Sequence, residues 1–210
     1  MIRLALTKGR IEVAALELLT RAGYDCAELD EGQRGRKLFF HTGKNELEIV
    51  LAKAADVLTY VGHGVCDAGI VGSDTLAEQG GDACELLDLG FGKCRFALAG
   101  KTGGWHGVGY RRLVIASKYP NVTRLYFAEQ GADVEVVKIE GSVELAPLLG
   151  LADAIVDIVE TGSTLRANGL EVYEDIVDIS ARLIFNMASI KLKKPETDEF
   201  VRRLQGAVGM

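Results

Sequence analysis

Apolar runs of five to eight residues recur along this chain, and many are followed by a segment with apolar residues at helical spacing. Short apolar runs are typical of buried strands, whereas apolar residues three or four positions apart are typical of the helices that connect them. The first unit is a strand over residues 2–6, a Lys-Gly-Arg turn at residues 8–10, and a helix that ends at Gly23. The pattern predicts an α/β protein.

The first half continues with strands over residues 37–40 and 47–52, joined by turn residues at positions 42–45. A short helix over 55–61 and a buried strand over 68–71 follow, and Ser73 or Asp74 is expected to cap the next helix. Asp67 is interpreted as a turn residue at the start of that strand. Residues 94–99 form a further predicted strand, followed by a Gly-rich loop over 100–109.

Strand and helix alternation then starts again, with strands at residues 113–116, 134–139 and 154–159 and helices at 120–131 and 143–149. The tail contains an apolar segment at 183–185 and an amphipathic helix that begins at Pro195. We predict two α/β lobes with a cleft between them: residues 1–92 plus 172–210, and an inserted lobe of residues 93–171. Ligands are expected at the carboxyl ends of the parallel strands.

Composition narrows the class of protein. A formal net charge of −6 on 210 residues argues against a nucleic-acid surface. The N-terminal apolar run meets a charge too soon for a signal peptide or membrane span, so we expect a cytoplasmic location. The cysteines lack metal or disulfide spacing, and the histidines lack the spacing of a metal site or nucleophilic triad; these residues are Cys26, Cys66, Cys84, Cys94, His41, His63 and His106.

The segment over residues 154–165 (AIVDIVETGSTL) carries the clearest chemistry. A buried strand passes directly into a small hydroxyl-rich turn, whose backbone N–H groups, hydroxyls and following helix start would favour a phosphate. Gly162 allows close approach of the backbone, and Asp157 and Glu160 can accept hydrogen bonds from sugar hydroxyls. The arrangement fits a phosphate followed by a ribose, although Thr-Gly-Ser-Thr alone could also be a helix-capping turn.

Residues 141–153 (GSVELAPLLGLAD), the strand and loop after them, and residues 165–169 strongly resemble the phosphoribosyl-pyrophosphate signature of ATP phosphoribosyltransferases. The resemblance covers most of the chain, through residues 6–10 (LTKGR), 36–38 (RKL), 56–61 (DVLTYV), 67–72 (DAGIVG) and 86–94 (LLDLGFGKC). Two positions depart from the family pattern. Gly62 stands where relatives usually have an acidic residue, and Thr7 stands where Pro or Ser is common.

The resemblance implies the first step of histidine biosynthesis, in which the phosphoribosyl group of phosphoribosyl pyrophosphate is joined to N1 of the ATP adenine and pyrophosphate leaves. It further implies a type II periplasmic-binding-protein-like fold, Mg²⁺ carried by substrate phosphates, and the short form of the family. The short form implies a separate regulatory subunit that looks like a histidyl-tRNA synthetase, with this chain as a homodimer within a hetero-oligomer.

Matching positions imply the site residues. Arg10 and Arg36 are expected to act on the leaving pyrophosphate or the ATP phosphates, since guanidinium groups bind phosphate through paired donors. Asp157 is expected to hold the ribose hydroxyls, and residues Thr161, Gly162, Ser163 and Thr164 the 5-phosphate. Lys8, Glu144 and Glu160 complete the predicted substrate-binding set, with Glu144 contacting either the ribose or magnesium.

Other interpretations stay open at this point. Lys8 and Arg10 could be solvated turn charges, and Arg36 a surface cation beside Arg34. Lys53, Lys93 and Arg95 are interpreted as rim charges. A solute-binding protein shares the bilobal α/β architecture, and fold alone would not separate it from the enzyme. A catalytically silent partner in a larger assembly is the third interpretation.

Overall fold

The computed structural model describes residues 1–29, 35–43, 46–105, 107 and 112–208. The chain divides into two compact units, residues 1–92 with 180–210 and residues 93–179. Across these described residues, no helix is both long and apolar enough to span a membrane.

The strands, in chain order, are β1 (Ile2–Thr7), β2 (Phe39–His41), β3 (Leu47–Ala52), β4 (Ala68–Gly72), β5 (Cys84–Asp88), β6 (Cys94–Lys101), β7 (Leu113–Ser117), β8 (Val134–Lys138), β9 (Ala154–Val159), β10 (Leu170–Ile179) and β11 (Ala181–Phe185). The described α-helices are α1 (Arg10–Arg21), α2 (Ala54–Gly62), α3 (Ser73–Gln79), α4 (Pro120–Glu129), α5 (Leu145–Leu148), α6 (Ser163–Ala167), α7 (Met187–Leu192) and α8 (Lys194–Val208). A 3-10 turn covers Ala27–Leu29.

The first unit is built on a six-stranded sheet in the order β2-β3-β1-β4-β11-β5. Strands β1, β3 and β4 are parallel, while β2 and β11 run antiparallel to their neighbours. One face packs Leu4 and Ile49 against Leu18 of α1 and Phe200 of α8. The other face packs against α2, and a Cβ at Gly69 would lie 2.7 Å from Val57 Cγ1, so the helix approaches the sheet where β4 has no side chain.

The second unit is built on a five-stranded sheet in the order β10-β6-β9-β7-β8. Strands β7, β8 and β9 are parallel, so the loops that follow β7 and β9 lie at the same edge. Side chains of β9 alternate between two cores. Val156 packs with Phe96 on one face, and Ile155 packs with Ala116 and Val143 on the other.

Several predicted elements differ from those observed. The predicted helix over 143–149 is reduced to the single turn of α5, and strands β5 and β10 were not predicted. The N-cap of α3 is Gly72 rather than Ser73 or Asp74, because the helix already begins at Ser73. Lys44 and Asn45 of the predicted turn, Arg34 and His106 lie outside the described residues.

The return from the second unit to the first lies at 179/180, whereas the sequence predicted it at 171/172. The predicted boundary was wrong because β10 pairs antiparallel with β6 from Leu170 to Ile179. Its whole length therefore belongs to the sheet of the second unit. The other boundary, at 92/93, coincides with the predicted one.

Asp67 lies just before β4 and is only 6% exposed. Its carboxylate accepts hydrogen bonds from Arg3 N (2.8 Å), Ser189 Oγ (2.7 Å) and Lys193 Nζ (2.8 Å). Burial by itself raises the pKa of Asp67, but the hydrogen bonds from Lys193, Arg3 and Ser189 outweigh it, so the pKa lies below its ordinary value. The carboxylate thus ties the start of β4 to β1 and to the α7 region.

Asp67→Asn is expected to lower the free energy of unfolding at pH 7 by about 2 to 4 kcal/mol, because it leaves a buried hydrogen-bond network without its charge. A lowered pKa stabilises the fold above the ordinary pKa of about 3.9, and this contribution is lost as pH falls through the lower folded-state value. Urea unfolding at pH 7 and near pH 3 should show the difference shrinking in acid. The control is Asp198→Asn, an exposed carboxylate paired with Lys194, and equal stability of both variants would contradict the prediction.

Candidate functional site

The loop after β9 joins that strand to α6 through Glu160, Thr161 and Gly162. Gly162 is the N-cap of α6 and has φ 70°, a left-handed conformation that favours glycine. The Thr161 hydroxyl donates to Ser163 Oγ (3.1 Å) and accepts from Ser163 N (3.4 Å). Thr161, Ser163 and Thr164 are exposed, so their hydroxyls can also reach a ligand.

This geometry suits a phosphate group, because small side chains, hydroxyls and backbone N–H groups are presented at the carboxyl edge of parallel strands. The helix that follows has only five residues, which sum to a small dipole. The sequence alone assigns part of the predicted phosphate attraction to this helix start. With so short a helix, the hydroxyls and backbone N–H groups of the loop are the main donors available to a phosphate.

Asp157 is half-buried near the end of β9, and Glu144 lies at the N-cap of α5. Burial raises the pKa of Asp157, and the carboxylate of Glu144 raises it further, while the Ile158 N–H hydrogen bond and Lys118 oppose the change. The structure therefore brings together these two predicted acids. A carboxylate of this kind can accept hydrogen bonds from the neighbouring hydroxyls of a ribose.

Arg95 of β6 is an anchor for this loop. Its Nη1 donates to the carbonyl oxygen of Glu160 at 3.3 Å, and its Nε donates to the carboxylate of Asp175 on β10. From the sequence alone, Arg95 is interpreted as a rim charge. The contacts show that it fixes the backbone at Glu160, which is itself exposed.

Lys118 belongs to this region but was not predicted. It follows β7 directly, and its ammonium is close enough to lower the pKa of Asp157. No motif identifies it, since its position depends on the pairing of β7 with β9.

The predicted basic residues of the first unit lie on two segments. Lys8 and Arg10 flank Gly9 at the turn between β1 and α1, where Gly9 has φ 95°. Glu12 accepts from Gly9 N at 3.1 Å and so fixes the turn, while Arg10 Nη2 donates to Gly92 O at 3.4 Å. Lys8 and Arg10 are exposed at the carboxyl end of β1.

Arg36 is exposed in the turn before β2. Lys8, Arg10 and Arg36 all belong to the first unit, whereas Glu144, Asp157 and residues 160–164 belong to the second. The structure thus gathers the predicted phosphoribosyl-binding residues around the end of β9 and places the predicted arginines on turns of the other sheet. Their roles remain predictions.

Within the described residues, no group of three or more His, Cys, Asp or Glu side chains could hold a metal ion. Glu144 and Asp157 supply carboxylate oxygens, the ligand type that Mg²⁺ prefers. Two carboxylates suit a metal that takes its remaining ligands from substrate phosphates and water.

Comparison with protein families matches residues 53–206 to a model described as ATP phosphoribosyltransferase. A relative with that name from Clostridium kluyveri is 59% identical over 204 residues, which cover 97% of this chain and 92% of the relative. Another from Clostridium acetobutylicum is 57% identical over 207 residues, covering 99% and 95%. These relatives favour the predicted transferase over the solute-binding alternative.

Among solved structures, the ATP phosphoribosyl transferase (HisG:HisZ) complex from Thermotoga maritima contains a chain that matches with a TM-score of 0.83 and 32% identity, covering 100% of this chain and 99% of that one. The alkanesulfonate-binding protein SsuA from Xanthomonas axonopodis pv. citri, bound to MOPS, matches with a TM-score of 0.55 and 12% identity over 98% and 72%. The second match shows the fold alone, and together they confirm the predicted periplasmic-binding-protein-like α/β fold. With three quarters of its length matched by the family model and relatives sharing more than half of its residues, the chain belongs to the ATP phosphoribosyltransferase family, the pentosyltransferases that begin histidine biosynthesis.

Proposed function

We propose that the chain binds phosphoribosyl pyrophosphate around the end of β9 and transfers its phosphoribosyl group to N1 of the ATP adenine. The observation that carries this assignment is the exposed hydroxyl loop of residues 161–164 beside the half-buried Asp157. A phosphate site and a ribose-binding carboxylate on one strand end match the two ends of a ribose 5-phosphate.

In this reaction the lone pair of adenine N1 forms a bond to C1 of the ribose, and the bond from C1 to pyrophosphate oxygen breaks with its electrons leaving on pyrophosphate. Positive charge builds on the ribose and negative charge on the leaving group. No strong base is needed, because N1 carries no proton to remove. Catalysis therefore depends on holding the two substrates and on stabilising the departing charge.

The proposed roles follow from this charge distribution. Arg10 and Arg36 stabilise the leaving pyrophosphate through guanidinium donors, and Lys8 binds substrate phosphate. Asp157 orients the ribose hydroxyls, with Glu144 beside it. Glu160 supports the ribose end of the loop, and Thr161, Gly162, Ser163 and Thr164 hold the 5-phosphate.

Enzymes of this family generally require a metal ion, and we assign it as Mg²⁺ held mainly by the diphosphate. When bound, Mg²⁺ would supply positive charge at the diphosphate and so ease the departure of pyrophosphate. Glu144 and Asp157 would be available to share it with the substrate phosphates.

The structural match to a chain of a HisG:HisZ complex supports a hetero-oligomer for this protein as well. We propose the short form of the family, in which a homodimer of this chain works with a regulatory subunit similar to histidyl-tRNA synthetase. The chain covers 92% and 95% of the two clostridial relatives, which are therefore of similar length. We place it in the cytoplasm, where ATP and phosphoribosyl pyrophosphate are available.

The test is an assay of the purified chain with ATP, phosphoribosyl pyrophosphate and Mg²⁺, with and without the synthetase-like subunit. We expect the ultraviolet absorbance of N1-substituted adenine to appear with release of one pyrophosphate, and chelation of the metal to abolish it. Product in neither condition would contradict the proposal. Thermal stabilisation by an amino acid or a sulfonate, with none from phosphoribosyl pyrophosphate and Mg²⁺, would instead support a solute-binding role.

A further inference from the structure

Lys118 lies beside Asp157 because of the register between two parallel strands. Ser117, the last residue of β7, is the Cα partner of Val156 in β9. Lys118 is the next residue along, and Asp157 follows Val156 in the same direction. Neighbouring strands are about 4.8 Å apart, so the two backbones carry a lysine and an aspartate side by side.

Lys118 lies one residue past the end of β7, and extending the alternation of β7 by that residue directs Lys118 to the same face of the sheet as Asp157. The partners Ala116 and Ile155 belong to the core cluster that also contains Val143, whereas Val156 packs on the opposite face. Two positions after Ala116 and Ile155 come Lys118 and Asp157, which thus point to the face covered by the segment that carries Val143 and Glu144.

The backbone that carries Lys118 is firmly held. The buried Ser117 hydroxyl donates to Val156 O at 2.6 Å and accepts from Tyr119 N at 2.9 Å, bridging β7 to β9. Thr123 Oγ1 donates to Tyr119 O at 2.7 Å, and the Tyr119 ring packs edge-on against Phe96 with centroids 4.8 Å apart. The lysine therefore projects from a fixed point.

Several charged groups lie near Lys118, but none of those described forms an ion pair with it. Glu144 and Asp157 lie close enough for the first to raise the pKa of the second, and Lys118 also interacts with Glu140, whose carboxylate is paired with Lys138 at 2.7 Å. Lys118 itself is exposed, and within the described residues it forms no salt bridge of its own. A cation beside a ribose-binding acid is available to an anionic group on that ribose.

We propose that Lys118 is a further substrate-binding residue, whose ammonium contacts a phosphate group of phosphoribosyl pyrophosphate while Asp157 holds the ribose hydroxyls. The inference rests on the proposed function and adds to it a residue that no motif identified. The contacted group is either the diphosphate or the 5-phosphate, since both are oxyanions attached to the same ribose. A lysine binds either one as a compact point charge with three donors.

The test compares the full chain with Lys118→Met and Lys118→Arg, using calorimetric titration with phosphoribosyl pyrophosphate and Mg²⁺, and separately with pyrophosphate and ribose 5-phosphate. Lys118→Met should raise the Kd for phosphoribosyl pyrophosphate by about tenfold to a hundredfold, the range for one charge-assisted hydrogen bond. Lys118→Arg should recover most of the affinity. If pyrophosphate binds more weakly and ribose 5-phosphate does not, Lys118 contacts the diphosphate. If ribose 5-phosphate binds more weakly and pyrophosphate does not, Lys118 contacts the 5-phosphate.

Lys101→Met is the matched control. Lys101 is the exposed last residue of β6, and β6 runs antiparallel to β9, so this lysine lies at the opposite end of β9 from Asp157. The variant removes the same charge from the same sheet and should leave each Kd within about twofold, because exposed charges act weakly through solvent. Equal weakening by both substitutions, or unchanged affinity of Lys118→Met for all three ligands, would overturn this inference and leave the proposed function standing. If the unsubstituted chain bound no phosphoribosyl pyrophosphate and formed no product, the proposed function would fail with it.

Discussion

Asp157→Asn is expected to lower kcat/KM for phosphoribosyl pyrophosphate by about a hundredfold to a thousandfold without lowering the stability of the fold. The loss follows from replacing a carboxylate that accepts two hydrogen bonds from ribose hydroxyls, each worth about 1.5 to 3 kcal/mol when one partner is charged. Asparagine has nearly the same shape but offers a single acceptor oxygen and adds donors.

The effect on stability has the opposite sign because burial and Glu144 raise the pKa of Asp157 in the folded chain. A carboxyl group whose folded-state pKa lies above its unfolded value costs stability once the pH is above both values. Removing the charge should therefore leave the free energy of unfolding at pH 7 unchanged or higher. For the unsubstituted enzyme, kcat/KM should fall as the pH drops through this raised pKa, and the variant should lack that acidic limb.

Steady-state kinetics over a pH series that starts near the ordinary aspartate pKa of about 3.9, together with urea unfolding, check both halves of this prediction. Asp133→Asn is a suitable control, since Asp133 is exposed just before β8, at the opposite edge of the sheet, and pairs only loosely with Arg112 at 3.6 Å. Control and test variants with the same kcat/KM would remove Asp157 from the substrate site. A loss of activity with an equal loss of stability would indicate a structural role instead.

Arg10→Ala and Arg36→Ala are each expected to lower kcat by about a hundredfold to a thousandfold, with a smaller effect on substrate Kd. The reason is that the charge on pyrophosphate grows as the C1–O bond breaks, so a guanidinium that faces it binds the transition state better than the substrate. Single donors to developing negative charge in other enzymes have effects of this size.

Single-turnover kinetics and calorimetric titration separate the chemical step from binding for these two variants. Arg21→Ala is the control, because Arg21 is an exposed cation in the last turn of the same helix that begins with Arg10. An effect of Arg10→Ala or Arg36→Ala confined to Kd would refute the transition-state role. Lysine at either position should restore only part of kcat, since it lacks paired donors in one plane.

Local signals in the sequence account for the parts of the fold that were predicted correctly. β9 occupies the predicted residues because a continuous apolar run is closed by a small polar turn, and both features are contained within about ten residues. β1 and α1 follow the same rule, with Gly23 at φ 87° ending the helix region. The phosphate-binding role of the loop at 161–164 is a prediction that rests on the same kind of local signal.

β10 was missed because its side-chain pattern is irregular. Its pairing with β6 shifts register between Val172 and Glu174 and again between Asp175 and Val177, so apolar residues do not alternate with period two. The strand is held by β6, which lies far away in sequence. The predicted boundary between the units, at 171/172, therefore lies eight residues before the observed boundary at 179/180.

Asp67 and Lys118 are side chains whose surroundings depend on residues far away in the sequence. Asp67 looks like an ordinary turn residue in the sequence, and its partners Ser189 and Lys193 are 122 and 126 positions away. Lys118 looks like a surface lysine, and only the pairing of β7 with β9 sets it beside Asp157. The sequence by itself determined the α/β class and the family and predicted the phosphate loop, because each depends on residues adjacent in the chain. The tertiary structure decided which distant charges surround that loop, because strand order and register are set by packing between segments that no local pattern relates.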